Sequence, residues 1–154
     1  MPMKGYKTIS LKVLTFIILF FLIIPLPINA QPKIHEQNFI LINGIEQWVT
    51  IKGESSKPVV LFLHGGPGSP MSPYSDSLFK DWEKNFIIVQ WDQRGTGKTF
   101  GKIAPEELTP EYLKSNPLTV EQMTTDGIQL SEYLIKTFGK QKIILNHRYE
   151  INII

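Results

Sequence analysis

Two glycine-bearing stretches are where this 154-residue chain could carry chemistry. The first is His64-Gly65-Gly66-Pro67-Gly68, which follows the unbroken apolar run Val59–Leu63. Such a run reads as a strand covered on both faces, and open α/β sheets take their ligands beyond the carboxyl ends of strands. Two adjacent glycines let the backbone turn without a Cβ in the way, so that their amide N–H groups can face outward. Donors fixed in that manner suit the negative oxygen that develops when an acyl carbonyl is attacked. A lone Gly-Gly pair is more often a tight structural turn; the whole pentapeptide after a strand reverses that preference.

The second stretch is Gln90–Thr99, whose tail Gly97-Lys98-Thr99 imitates a phosphate-binding loop. The full motif needs a glycine five residues before Gly97, and that position is Asp92. A carboxylate there repels phosphate. Thr99 also leads into Phe100, Gly101 and Pro105, where no helix is evident, so Asp92–Gly101 reads as a glycine-rich loop and nucleotide binding is not expected. Asp92, Arg94 and Gly95 read as a structural loop stapled by an internal ion pair. Ser69, Ser72, Ser75, Ser77 and Ser131 have no paired base and are ordinary hydroxyls. Asp76, Asp81 and Glu83 read as a solvated helix face and not as a metal cluster. The chain has no cysteine, which excludes a thiol nucleophile, a disulfide framework and a zinc knuckle.

These motifs need elements to position them. Gln37–Asn43 alternates, with Phe39 and Leu41 on one face, and Asn43-Gly44 is a strong hairpin signal because both central positions of a type I′ turn take positive φ. Ile45–Ile51 is the partner strand, and Val59–Leu63 the next strand. Tyr74–Asn85 reads as a helix with Leu78, Phe79 and Trp82 on one side, and Phe86–Val89 as a second buried strand. Ala104–Asn116, with Pro105 and Pro110, is irregular or briefly helical. Thr119 and Gln122 have capping-box spacing, and Met123, Gly127, Leu130 and Leu134 form one helical face that should pack on a sheet. Gly139 is placed to end that helix. Ile143-Ile144-Leu145 begins a third buried strand. A hairpin followed by strand–helix–strand–helix–strand is an α/β architecture with parallel central strands.

HGGPGSP followed by VQWDQRGTGKT closely resembles the proline iminopeptidase branch of the α/β-hydrolases, serine aminopeptidases. One helix and one strand separate the two motifs, as in that family, and Thr124-Thr125-Asp126-Gly127 lies in a segment like the one leading to the family's nucleophile. The resemblance covers about Asn38 to Leu145. It implies that Gly65 and Gly66 form the oxyanion-hole loop, with Gly66 the favoured donor, and that His64, Pro67, Gly68, Trp91, Asp92, Gln93, Arg94 and Gly95 are structural residues of the motifs. It also implies a peptide substrate that loses its N-terminal residue, often proline, by acyl transfer, with no metal or organic cofactor.

The family's nucleophile sits in a Gly-x-Ser-x-Gly elbow directly after the strand equivalent to Ile143–Leu145. Here Asn146 takes the first glycine position, Arg148 the serine and Glu150 the last glycine. Asn146 and Glu150 bring a Cβ where the tight turn needs none, and an arginine that stays protonated cannot be a nucleophile. No catalytic residue is therefore assigned, and a new triad on His64 or His147 is not expected. The chain reads as the N-terminal half of an α/β-hydrolase sheet, a fragment inactive and unstable alone, with the final strand beside Val59–Leu63 and its outer edge unpaired.

Residues 1–30 carry Lys4, Lys7 and Lys12 with no acid, then the apolar run Val13–Ile24, then Pro25, Pro27 and Ala30. That is the layout of a signal peptide, or of an N-terminal membrane anchor. It divides the chain into a leader, 1–30, and a partial hydrolase domain, 31–154, exported to a periplasmic or extracellular place. Of the 16 Lys and Arg residues, the 13 outside the leader face 14 acidic residues, so charge makes no case for nucleic acid. Two further readings compete with the hydrolase lineage. One is a binding module that keeps the glycine loop as an anion or carboxylate site. The other is half of a split hydrolase completed by a second chain that brings Ser, Asp and His.

Overall fold

The computed structural model describes residues 32–65 and 69–147, together with Ser10 and Lys12. The chain divides into two units, Met1–Ala30 and Gln31–Ile154, and the fold concerns the second. The leader apart from Ser10 and Lys12, Gly66, Pro67 and Gly68 of the glycine loop, and Arg148 and the tail after it lie outside the described residues.

Strand β1 (Lys33–Ile42) turns through Asn43-Gly44 into β2 (Ile45–Glu54), with Ile42 opposite Ile45. Both turn residues take positive φ, 44° and 81°, as a type I′ turn requires. The strand is longer than the alternation predicts. Its core face is Ile34, Ile40 and Ile42, while Phe39 and Leu41 point the other way and Leu41 is exposed. Phe39 meets the Trp48 ring edge-on at 5.0 Å, and Lys102 lies over it.

β3 (Val59–Leu63) and β4 (Ile87–Asp92) run parallel, and β4 also pairs antiparallel with β2. β5 (Ile144–His147) lies parallel to β3, which gives the order β1-β2-β4-β3-β5. The final strand is therefore beside Val59–Leu63, as expected. It is not buried, however: Ile144 and Leu145 are 48% and 57% exposed. At the end of the sheet it has β3 on one side only, and among the described residues no element covers its faces as they cover β3.

The segment before β4 is not the single helix its pattern predicts. A 3₁₀ turn at Ser72–Tyr74 leads into α1 (Ser75–Phe79), and a second 3₁₀ turn follows at Trp82–Lys84. Serine and aspartate compete with a helix backbone for hydrogen bonds, and the Ser77 hydroxyl donates to the Tyr74 carbonyl at 2.9 Å. Breaking the helix lets Phe79 and Trp82 both reach Phe62, at ring distances of 4.3 and 6.0 Å. A second difference concerns the glycine-rich loop. Gly97–Ile103 is a helix, α2, whose first turn is held by the Asp92 side chain accepting from the Lys98 amide at 2.9 Å. Pro110–Ser115 forms α3, capped by Thr109.

The long helix α4 (Val120–Phe138) begins at Thr119, whose hydroxyl accepts from the Gln122 amide, and ends at Gly139 in the left-handed region, φ 59°. Its stripe Leu130 and Leu134 is fully buried on the sheet face made by Val49, Ile51, Val59, Leu61, Ile87, Val89 and Trp91. The opposite face, Val60, Phe62 and Ile88, lies under Phe79 and Phe86. Lys52, 7% exposed, reaches from β2 on that side to Asp76 of α1. β3 is thus covered on both faces, which is why its sequence does not alternate. Among the described residues no helix is long and apolar enough to cross a membrane.

Leu134→Ala is expected to cost about 3 kcal/mol, the usual size for opening a cavity at a closed site. Val120→Ser, at a position 81% exposed, should stay within about 0.5 kcal/mol. Urea unfolding of both variants measures the difference.

Candidate functional site

His64 and Gly65 leave the carboxyl end of β3, the edge where α/β sheets bind ligands. The loop after β4 holds them there. The Gln93 amide N–H donates to His64 Nε2 at 3.2 Å, and the Gln93 side-chain amide donates to the His64 carbonyl at 3.3 Å. The Thr96 hydroxyl donates to the Gln93 carbonyl at 2.9 Å and lies 3.2 Å from the same Nε2. His64 is 6% exposed, and its Nδ1 has no hydrogen-bond partner among the described residues. Burial holds its pKa below the ordinary imidazole value, against the opposing influence of the Gly65 backbone and the Asp92 carboxylate. His64 is therefore neutral near pH 7.

Asp92 does not pair with Arg94 as the sequence suggests. Its carboxylate accepts from the Ser72 hydroxyl and the Lys98 amide, and its carbonyl accepts from Thr99 Oγ1 at 2.5 Å. Thr99 Oγ1 in turn accepts from the Trp48 amide at 2.8 Å. Ser72, expected to be an ordinary loop hydroxyl, is thus tied to β4. α2 does open where a phosphate-binding loop would open one, which overturns that part of the argument against nucleotide. The chain's own carboxylate already occupies the helix N-terminus, and a Cβ at Gly97 (φ 47°) would lie 2.7 Å from Asp92 Cγ.

Arg94 pairs with Asp126 of α4 instead. Its Nε donates to Oδ2 at 2.9 Å and its Nη2 to Oδ1 at 3.1 Å. Asp126 has no solvent exposure, and two further donors complete its shell. Asn43 Nδ2 reaches Oδ1 at 2.8 Å, and Gln47 Nε2 reaches Oδ2 at 2.9 Å. Gln47 Oε1 accepts from the Trp91 indole N–H at 2.9 Å, and the Asn43 amide donates to Gln129 Oε1 at 2.6 Å. The sequence reasoning missed Asn43, Gln47 and Gln129. The signal for Asp126 was present: an acid one turn before Leu130, on the stripe that packs against the sheet, cannot stay there unpaired.

Two grooves open beside His64. One, of about 770 Å³, runs under α4 and is lined by His64, Gly65, Trp91, Met123, Leu145 and His147 among others. The other, of about 530 Å³ on the opposite face of the sheet, is lined by Phe62, His64, Trp82, Asn146 and His147 among others. The fold brings both histidines singled out in the sequence to each groove. A third groove, of about 830 Å³, lies between α2, α3 and the start of α4, beside Arg94 and Gly95. Leu118 forms a wall shared with the first groove, and it lies close enough to Gly95 (φ 79°) that a Cβ there would be 2.5 Å from its Cδ1.

A mixed sheet with α1 and α4 on its two faces, and a glycine loop at the carboxyl end of a central strand, defines an α/β-hydrolase architecture. No protein-family profile matches the chain. It is 34% identical over 105 residues to the probable aminopeptidase YbaC of Bacillus subtilis (strain 168), which is 68% of this chain and 30% of that protein. Its fold matches a proline iminopeptidase-related protein of Thermus thermophilus with a TM-score of 0.54 at 23% identity, over 75% of this chain and 36% of that one. An epoxide hydrolase of Vigna radiata matches with a TM-score of 0.53 at 29% identity, over 74% and 32%. The chain thus belongs to the α/β-hydrolase superfamily, and it spans about a third of the length of these relatives.

Asp126→Ala leaves a largely buried guanidinium without its partner and orphans donors on the hairpin. It should cost about 3–5 kcal/mol, read as a lowered urea midpoint. A second expectation concerns pH. Because the folded pKa of His64 is depressed, the stability it contributes is complete above about pH 6.5, the ordinary value, and is lost as pH falls toward the folded value. Urea midpoints measured across that window should flatten in His64→Gln.

Proposed function

We propose that this chain forms the oxyanion-loop part of an aminopeptidase-type serine hydrolase that releases an N-terminal residue, often proline, from peptides. The observation that carries the reading is the His64-Gly65 step at the end of β3, clamped by Gln93 and open to the groove under α4. In acyl transfer the attacked carbonyl oxygen gains negative charge, and N–H donors preset around it lower the barrier most. The likeness to a probable aminopeptidase, together with the paired motifs HGGPG and WDQRG, supports a peptide amide as the substrate class. No metal or organic cofactor enters this reaction. Export through a leader of residues 1–30 belongs to the same proposal.

Arg148 stands where the elbow serine is expected, and one variant of this reading takes the nucleophile from a second chain. The open side of β5 favours that variant of the reading. Ile144 and Leu145 are exposed there, and a groove lies on each face of the sheet beside them. A second chain that adds strands to this edge would complete the hydrolase.

Alone, the 154-residue chain is expected neither to release proline from a proline arylamide nor to react with a fluorophosphonate. Mixed with the C-terminal remainder of the Bacillus subtilis relative, it should regain both, and Gly66→Pro should lower kcat about 100-fold or more. Turnover by the chain alone that disappears in Arg148→Ala or His64→Ala would overturn the assignment of missing groups. Failure to restore activity with that remainder or with a co-purified partner would count against the hydrolase reading.

A further inference from the structure

We infer that the Arg94–Asp126 pair is the positioning device of the His64-Gly65 step: it holds Gln93 against His64 and thereby sets the direction in which Gly65 leaves β3. α4 is a 19-residue helix seated on the sheet by Leu130 and Leu134, so the Asp126 carboxylate is a fixed point. Arg94 meets it with two donors on two oxygens, at 2.9 and 3.1 Å. A planar fork on a carboxylate restricts orientation as well as distance. Apart from the contacts of Gln93 and Thr96 with His64, the loop from Gln93 to Thr96 is held by the local Thr96-to-Gln93 turn, at 3.0 Å between N and O, and by the positive φ of Gly95. Arg94 is therefore the tie that fixes this loop to α4.

The adjacent residue transmits that tie. A backbone N–H can only donate, so the Gln93 amide requires a lone pair on His64 Nε2. The neutral ring must then carry its proton on Nδ1. The nearby Thr96 hydroxyl is already committed to the Gln93 carbonyl, and Asp92 is held by Ser72 and the Lys98 amide. The tautomer of His64 thus reports where Gln93 sits, and the second Gln93 bond, to the His64 carbonyl, acts on the peptide that begins the glycine loop. That this loop serves an oxyanion rests on the proposed function; the coupling from Asp126 to His64 does not.

The test is the imidazole nitrogen spectrum of His64 in the ¹⁵N-labelled full chain near neutral pH, with the Gly65 amide signal as a second readout. The parent chain should show the Nδ1–H form. Arg94→Lys, which keeps the charge and loses the fork, and Asp126→Asn should each shift most of the population to the Nε2–H form. Both should displace the Gly65 signal while the methyl signals of Val60 and Ile88, on the opposite sheet face, stay in place. Retention of the Nδ1–H form and of the Gly65 shift in a variant with intact methyl signals would overturn the inference. So would collapse of the methyl signals in both variants, because the pair would then be a staple of the whole fold. If only Asp126→Asn unfolds, Arg94→Lys decides. None of these readouts requires catalysis, so a failed activity test leaves this one decisive.

Discussion

A carboxylate without solvent exposure is tolerable only when its charge and its lone pairs are met, and Asp126 is the place where this fold satisfies that demand. Four hydrogen bonds converge on it, two from Arg94 and one each from Asn43 and Gln47. The donors come from the β1–β2 hairpin, Asn43 in its turn and Gln47 in β2, and from Arg94 in the loop after β4, two pieces distant in sequence from each other and from α4. The network therefore closes only when hairpin, helix and loop are all in their native places. Breaking it after closure leaves buried groups unpaired, which costs more than the pair contributes in making it. A polar cluster of this kind favours one arrangement over its near neighbours.

The sheet's two edges are unequal. β1 presents Lys33, His35, Glu36, Gln37 and Asn38 to solvent, the charged and polar edge that discourages pairing with another chain. β5 presents Ile144 and Leu145 beside two grooves. In chains about three times as long that share this fold, there is sequence enough to extend the sheet on that side. The candidate site lies at the same end of the molecule, so whatever covers β5 also borders His64 and Gly65.

Much of this was legible along the chain because it depended on near neighbours. Asn43-Gly44 needed only its own φ preferences to make the turn, and Thr119 and Gly139 marked the ends of α4 by chemistry within one helical turn. The unbroken apolar run of β3 was enough to predict a strand covered on both sides. The segment from Tyr74 to Asn85 misled, because its apolar spacing fitted one helix while its serines and aspartates favoured breaks. Phe62, distant in sequence, rewarded the broken form. Asp92–Gly101 misled in the other direction: three glycines read as loop, yet the Asp92 side chain supplies the acceptor that starts α2.

Sequence alone therefore determined the succession of strands, the α/β class and the glycine motif that follows β3, since period, turn chemistry and motif are properties of adjacent residues. Only the tertiary structure decided the partners of the charged groups. Asp92 and Arg94 sit two residues apart and look like a pair, but Arg94 finds Asp126 thirty-two residues away. The reason is physical. β4 and the loop after it aim Asp92 at Ser72 and α2, whereas Arg94 reaches the buried stripe of α4, where the desolvated Asp126 is the group most in need of a cation.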